Sequence, residues 1–324
     1  MKKRTSNYII GILLLVGVLF ITGCGKESSG NASKNGDKEI TIGYQKGNTL
    51  HILKESGYLE ETLKEKGYKV KWEMFTHGGT LLEGLYAGAI DYGHAADGSG
   101  IFAQASGKPL VYVGADAPNP EGVGLMVLKE SGITSIEQLK GKKIGVLKGG
   151  NHHYLAVLAI EKAGLSVDDV EWVYPEDAAQ GRSIFETKKV DALASYDPFF
   201  AAAEVELDTI TFTENVDYQY PNRTFYYATP DFAKEHSDLV DLILETTDKS
   251  DQWANENKDE VVKIMSKALG IDEKIVKKQL DRRTFGATKL TQEIVDTQQK
   301  QADKYFEIGL IPKELDVSKD MPIN

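Results

Sequence analysis

Hydrophobic and polar residues alternate along Glu39-Ile-Thr-Ile-Gly-Tyr44 with the period of two that marks a half-buried strand. The loop Gln45-Lys46-Gly47-Asn48 follows, and apolar positions over 50–56 then recur at helical spacing. The plan returns further along. A strand-like run at 143–147 leads through Lys148-Gly149-Gly150-Asn151 into an apolar-periodic helix over 153–163. A second echo keeps the same order: Asp91-Tyr-Gly-His-Ala-Ala-Asp97 and Asp191-Ala-Leu-Ala-Ser-Tyr-Asp197 share the spacing of their aspartates. Each follows a helical stretch, at 81–87 and 183–188, and each leads into another, at 101–105 and 199–204. Two echoes in one order predict a pair of related α/β lobes.

In each copy a short strand ends at an aspartate just before a helix. A carboxylate there accepts the unpaired N–H groups of the first turn, and Pro198, directly after Asp197, suits a first helical position. Between the copies the breaker cluster Asp116-Ala-Pro-Asn-Pro-Glu121 precedes an apolar run at 124–128, which predicts a hinge crossing. A second crossing is expected at 222–228, before the helix start Thr229-Pro230-Asp231. Helical periodicity then fills 239–257, 260–269, 275–282 and 290–308, as expected of elements returning to wrap the first lobe. The expected layout is a first lobe at 39–122 and 229–324, and a second lobe with its crossings at 123–228.

The start of the chain has another character. Lys2, Lys3 and Arg4 precede an uncharged run of 14 residues, 8–21, which is too short for a bilayer span of about 20 and reads as an export signal. Ile21-Thr22-Gly23-Cys24 resembles the lipobox of bacterial lipoproteins, which implies cleavage after residue 23 and acylation of Cys24. Firm anchoring outside the cytoplasm follows from two or more acyl chains. Residues 24–38, rich in Gly, Ser, Asn and Lys, read as a flexible tether.

Composition narrows the function. Hydrophobic residues at 41% and charged residues at 27% of 324 are near globular averages, so a disordered, collagenous or polytopic chain is excluded. The formal charge is −11, and −14 without the signal, so attraction to nucleic acid has no electrostatic basis. A single cysteine excludes a disulfide framework, a CxxC pair and a thiolate metal site.

Two facing lobes make a cleft at the carboxyl ends of their strands, where helices begin and their N–H groups point outward. Glycines at Gly47, at Gly78-Gly79 before Thr80, at Gly98 and at Gly149-Gly150 let backbone N–H groups approach an acid, so Gly79, Thr80 and Gly150 are candidate ligand contacts. No GxxxxGK[ST], GxGxxG or GxSxG motif is present. Adjacent His152 and His153 point about a hundred degrees apart on a helix and do not suit one metal ion. No cofactor or metal is expected. Asp97 and Asp197 read either as caps or as a carboxylate pair facing across the cleft. Arg223, among Phe225, Tyr226 and Tyr227, reads either as the charge partner of an acidic ligand or as a surface salt bridge.

Tyr44-Gln-Lys-Gly47, Ile101-Phe-Ala-Gln-Ala-Ser-Gly107, Asn151 with His153-Tyr154-Leu155, Glu161-Lys-Ala-Gly164, Asp197-Pro-Phe-Phe-Ala-Ala-Ala-Glu204 and Asp251-Gln-Trp-Ala254 together resemble the aliphatic sulfonate-binding proteins. These are substrate-binding proteins of ABC importers, related to the nitrate- and taurine-binding proteins, and the resemblance runs from about Ile40 to the helices near Leu280. It implies the type II periplasmic-binding fold, a monomer that is not an enzyme, an ABC permease as partner, and a small organic sulfonate or similar anion as ligand. It also implies Gln45, Asp97, Asn151, His153, Asp197 and Arg223 as ligand contacts. The chain departs from the family where Ala95-Ala96-Asp97-Gly98-Ser99-Gly100 replaces the common Thr-Gly-Asp-x-Pro-Pro, where Tyr196 replaces a Trp, and where His152 replaces an apolar residue. Ser99 and His152 therefore join the candidates as specificity residues. The alternatives are a different small acid, such as taurine or nitrate, and a synthase of the thiamine pyrimidine-precursor type, whose cysteine-rich motif is missing. A lipid-anchored sensor or adhesion domain is a third class, to which no motif points.

Overall fold

The computed structural model describes residues 38–214 and 216–323; the expected signal, Cys24 and the tether up to residue 37 lie outside the described residues. The chain opens with β1 (Lys38–Gln45), α1 (Thr49–Ser56), α2 (Tyr58–Lys64), β2 (Tyr68–Phe75), α3 (Gly78–Tyr86), β3 (Tyr92–Ala96), α4 (Asp97–Ala105) and β4 (Val111–Asp116). It crosses to β5 (Val123–Leu128), β6 (Lys143–Gly145), α5 (Asn151–Lys162), β7 (Glu171–Val173), α6 (Ala178–Glu186), β8 (Ala192–Tyr196), α7 (Phe199–Glu206) and β9 (Thr209–Thr211). It returns through β10 (Thr224–Ala228) to α8 (Pro230–Glu235), α9 (Ser237–Glu256), α10 (Lys258–Leu269), α11 (Glu273–Asp281), β11 (Ala287–Thr288) and α12 (Gln292–Glu307).

Two sheets result, ordered β11-β4-β10-β3-β1-β2 and β7-β6-β8-β5-β9. In the first, β1 lies parallel to β2 and β3 while β10 runs antiparallel to β3; in the second, β6 lies parallel to β7 and β8 while β5 runs antiparallel to β8. The duplication expected from the echoes is thus a duplication of topology, with β1 matching β6 and β3 matching β8. All six residues of β5 are buried, which accounts for its unbroken apolar run.

Each sheet has its own apolar core. Ile40, Ile42, Leu50 and Leu53 pack with Tyr226 and Ile243 in the first lobe, and Leu125, Val127, Ile144, Val146 and Ile160 pack in the second. A third cluster joins the lobes, because Tyr154 and Leu155 of α5 pack with Ala103 of α4, Tyr220 and Tyr305 of α12.

Three expectations need correction. Residues 224–228 belong to the first sheet, where β10 pairs with β3 and β4, so the second crossing ends before Thr224. Pro198 flanks α7 rather than opening it; the helix starts at Phe199. The last helix begins at Gln292 rather than 290, because the Thr291 side chain accepts the N–H of Ile294.

Candidate functional site

Both lobes reverse their strand order beside a central parallel strand, between β1 and β3 and between β6 and β8. Ligands of such sheets lie outside the carboxyl ends of the strands at that switch point. Gln45 ends β1 and Asp97 follows β3; the loop from Leu147 to Asn151 follows β6, and Asp197 follows β8. Gln45, Asp97, Asn151 and Asp197 therefore lie by the two switch points, whereas Gly79 and Thr80 open α3 after the edge strand β2 and Arg223 precedes β10.

In the first lobe, the Gln45 side-chain amide donates to the His94 carbonyl at 2.9 Å, tying the ends of β1 and β3. Gly78 opens α3 close to Ser99: a Cβ at Gly78 would lie 3.0 Å from Ser99 Oγ. Thr80 Oγ1 donates to the His77 carbonyl at 2.9 Å, and Gly79 beside it is exposed. Asp97, 2% exposed, is the first residue of α4 rather than its flanking cap. Its Oδ1 accepts the N–H of Gly98 at 2.6 Å and its Oδ2 accepts the Tyr220 hydroxyl at 2.5 Å. Burial pushes its pKa up to about 6 against the pull of these donors.

The second lobe answers with the start of α5. A side chain at Gly98 would collide with the Gly149 carbonyl oxygen, so the two loops meet backbone to backbone. Tyr305 of α12 spans the same junction, its hydroxyl 3.1 Å from both the Gly149 and Gly150 carbonyl oxygens. Gly149 N–H donates to His153 Nδ1 at 3.0 Å, and the His153 ring meets Trp172 and Tyr174 edge-on. Burial pulls the pKa of His153 down to about 4 and that of His152 to about 3. His152 is satisfied within its own lobe, since Leu147 N–H donates to Nε2 at 3.2 Å and Nδ1 lies 3.1 Å from Asn151 Oδ1. Its ring packs on Tyr196 beside a cavity of only about 10 Å³.

Three asparagines tie the site to both crossings. Asn151 Nδ2 donates to Asn222 Oδ1 at 2.8 Å, and Asn222 Nδ2 donates to the Asn119 carbonyl at 2.5 Å. Arg223, half-buried, donates from Nη1 to the Asp116 carbonyl at 2.7 Å, and burial lowers its pKa. Asp197 is engaged by Arg282, while its Oδ1 also accepts the N–H of Ala201 at 3.0 Å, the first-turn role expected of it. Asp97 and Asp197 thus have separate partners and form no carboxylate pair. Sequence reasoning passed over Tyr220, Arg282 and Tyr305, which arrive from segments with no motif of their own. Among the described residues, no group of three or more His, Cys, Asp or Glu is placed to hold a metal ion.

Two α/β lobes with matching switch points, joined by two crossings and opposed at their helix starts, define a type II periplasmic-binding fold. The chain belongs to the NMT1/THI5-like family, whose model matches residues 53–261. A Bacillus subtilis (strain 168) relative bearing the provisional name of aliphatic sulfonates-binding protein is 32% identical, over 97% of this chain and 94% of its own. The crystal structure of the periplasmic aliphatic sulphonate binding protein SsuA from Escherichia coli superposes with a TM-score of 0.82 at 30% identity, covering 88% of this chain and 92% of that one. The alkanesulfonate-binding protein SsuA from Xanthomonas axonopodis pv. citri bound to MOPS gives 0.81 at 28%, covering 88% and 98%. The resemblance read from the sequence motifs is borne out.

Proposed function

We propose that this chain is the extracytoplasmic, lipid-anchored binding component of an ABC importer, holding a small organic sulfonate or related oxyanion between its lobes and handing it to the permease. The observation that carries the reading is the meeting of Gly98 and Gly149, which sets the starts of α4 and α5 against each other. Their positive dipole ends suit an anion that the chain's net negative charge repels at long range. The names of the relatives support the same class of ligand. The contacts proposed are Gln45, Gly79, Thr80, Asp97 and Ser99 from the first lobe, Gly150, Asn151 and His153 from the second, and Arg223 from the crossing. His152 supports Tyr196 and the Leu147 turn from behind. Anchoring rests on Cys24 and its lipobox; among the described residues, no helix is long and apolar enough to cross a membrane.

A thermal-shift panel of alkanesulfonates, taurine, nitrate and carboxylates tests the ligand class. A sulfonate at a hundred times its dissociation constant should add about 2.7 kcal/mol of stability. A shift with an amine or neutral heterocycle and none with any oxyanion would overturn the reading.

A further inference from the structure

The end of α11 carries two adjacent arginines that reach in opposite directions. Arg283 stays in the first lobe, its Nη2 3.2 Å from Asp116 Oδ2, where β4 leaves the sheet for the first crossing. Arg282 leaves that lobe. Its Nε and Nη2 grip the two oxygens of Asp197 at 2.9 and 2.5 Å, its Nη1 reaches Glu204 Oε2 at 2.8 Å, and its guanidinium carbon lies 4.2 Å from the Phe200 ring centroid. Lys278, one turn earlier, adds a contact of 3.6 Å to Glu204. The cations stand on α11, whose Val276 and Leu280 pack with α10 in the first lobe, whereas the carboxylates stand beside and on α7, whose Phe200 packs with Met126 and Leu193 of the second sheet.

The cationic side is preorganised. Lys258 Nζ donates to the carbonyls of Leu280 and Arg283 at 2.7 and 3.2 Å, which fixes the backbone on either side of Arg282. The bidentate fork then demands one relative placement of α11 and α7. With the lobes together the side chains of Arg282, Asp197 and Glu204 are 12%, 4% and 11% exposed, so they attract through a medium that screens poorly. Swinging the lobes apart returns all three to water. Removing one partner leaves an uncompensated buried charge in the closed form only, which favours opening. Asp197 has no role to spare: both oxygens serve Arg282, and one also holds the first turn of α7.

We propose that Arg282 is the closure latch of this protein, gripping Asp197 and Glu204 across the lobes, and that Asp197 serves this latch rather than the ligand. The inference does not depend on which anion is bound. Interlobe distances in the full chain test it, measured between spin labels at Glu65→Cys and Lys189→Cys with Cys24→Ser to remove the native thiol. The parent should show a short distance, and Arg282→Gln, Asp197→Asn and Glu204→Gln should each add a longer population. The Arg282→Gln/Asp197→Asn double variant should open no further than either single one. Glu204→Gln, at the rim of the cluster, carries the test should Arg282→Gln fail to fold. Distances unchanged in Arg282→Gln, or in Glu204→Gln where that variant stands in, overturn the latch. If Asp197→Asn keeps the parent distances but loses a thermal shift that methanesulfonate gives the parent, Asp197 belongs to the ligand and its assignment here fails.

Discussion

Asp97 is a carboxyl buried at the mouth of a helix, with a tyrosine hydroxyl, one backbone N–H and the Gln301 side chain as donors and, among the described residues, no ion pair to a cation. Its folded pKa of about 6 stands above the unfolded value of about 3.9, so the stability tied to its protonated form is complete below pH 4 and is lost as pH rises through 6. Asp97→Asn should therefore gain on the parent between pH 4 and 7, by up to about 3 kcal/mol. Urea unfolding of both proteins across that range checks it, and a pH-independent difference would count against the assignment. Arg223→Ala should weaken binding of an identified anion by about 1.5 to 3 kcal/mol, the range for a hydrogen bond to a charged group; calorimetry on that variant reads it directly. The positions of Gln45 at the end of β1 and of Asp97 and Asn151 at the starts of α4 and α5 were legible because the echoes locate the passage from strand to helix. Tyr220 and Arg282 were not, since each gains its meaning only from a carboxylate far away in sequence.

At the scale of elements, the starts of α4 and α5 meet only because neither Gly98 nor Gly149 carries a side chain. Gly98→Ala places a methyl against the Gly149 carbonyl, and that backbone atom cannot swing aside. The variant should fold, since alanine suits a helix start, yet keep its lobes apart and lose most ligand-induced stabilisation. A melting shift equal to the parent's would show that the junction is looser than described. The helices of the returning segment were legible from periodicity, as in α9, where Leu239, Val240, Ile243 and Leu244 form the buried stripe. Strand β2 alternates Tyr68, Val70 and Trp72 with Lys69, Lys71 and Glu73, but a search for echoes passes over it because its counterpart β7 has three residues. Strand β10 reads as a crossing because its pairing with β3 and β4 depends on partners more than a hundred residues earlier.

For the whole molecule, closure about the two crossings is a hinge motion. In Arg282→Gln, whose lobes the latch no longer holds together, a bound anion should lower the radius of gyration in small-angle scattering, and an unchanged curve with a saturating ligand would contradict closure. Cys24→Ser should release the protein from membranes or block its maturation, which fractionation and intact mass report. The arrangement of the two antiparallel strands has a further consequence. Strand β5 enters the second sheet straight from the first lobe, and β10 enters the first sheet straight from the second, so each lobe is finished by chain that has just left the other. The N-terminal lobe cannot complete its sheet while the ribosome is still making it; it must wait for residues 224–228 and then for 287–288. Such distant pairings slow folding and bind the halves into one cooperative unit, so the first lobe stays unfinished until most of the chain has been synthesised.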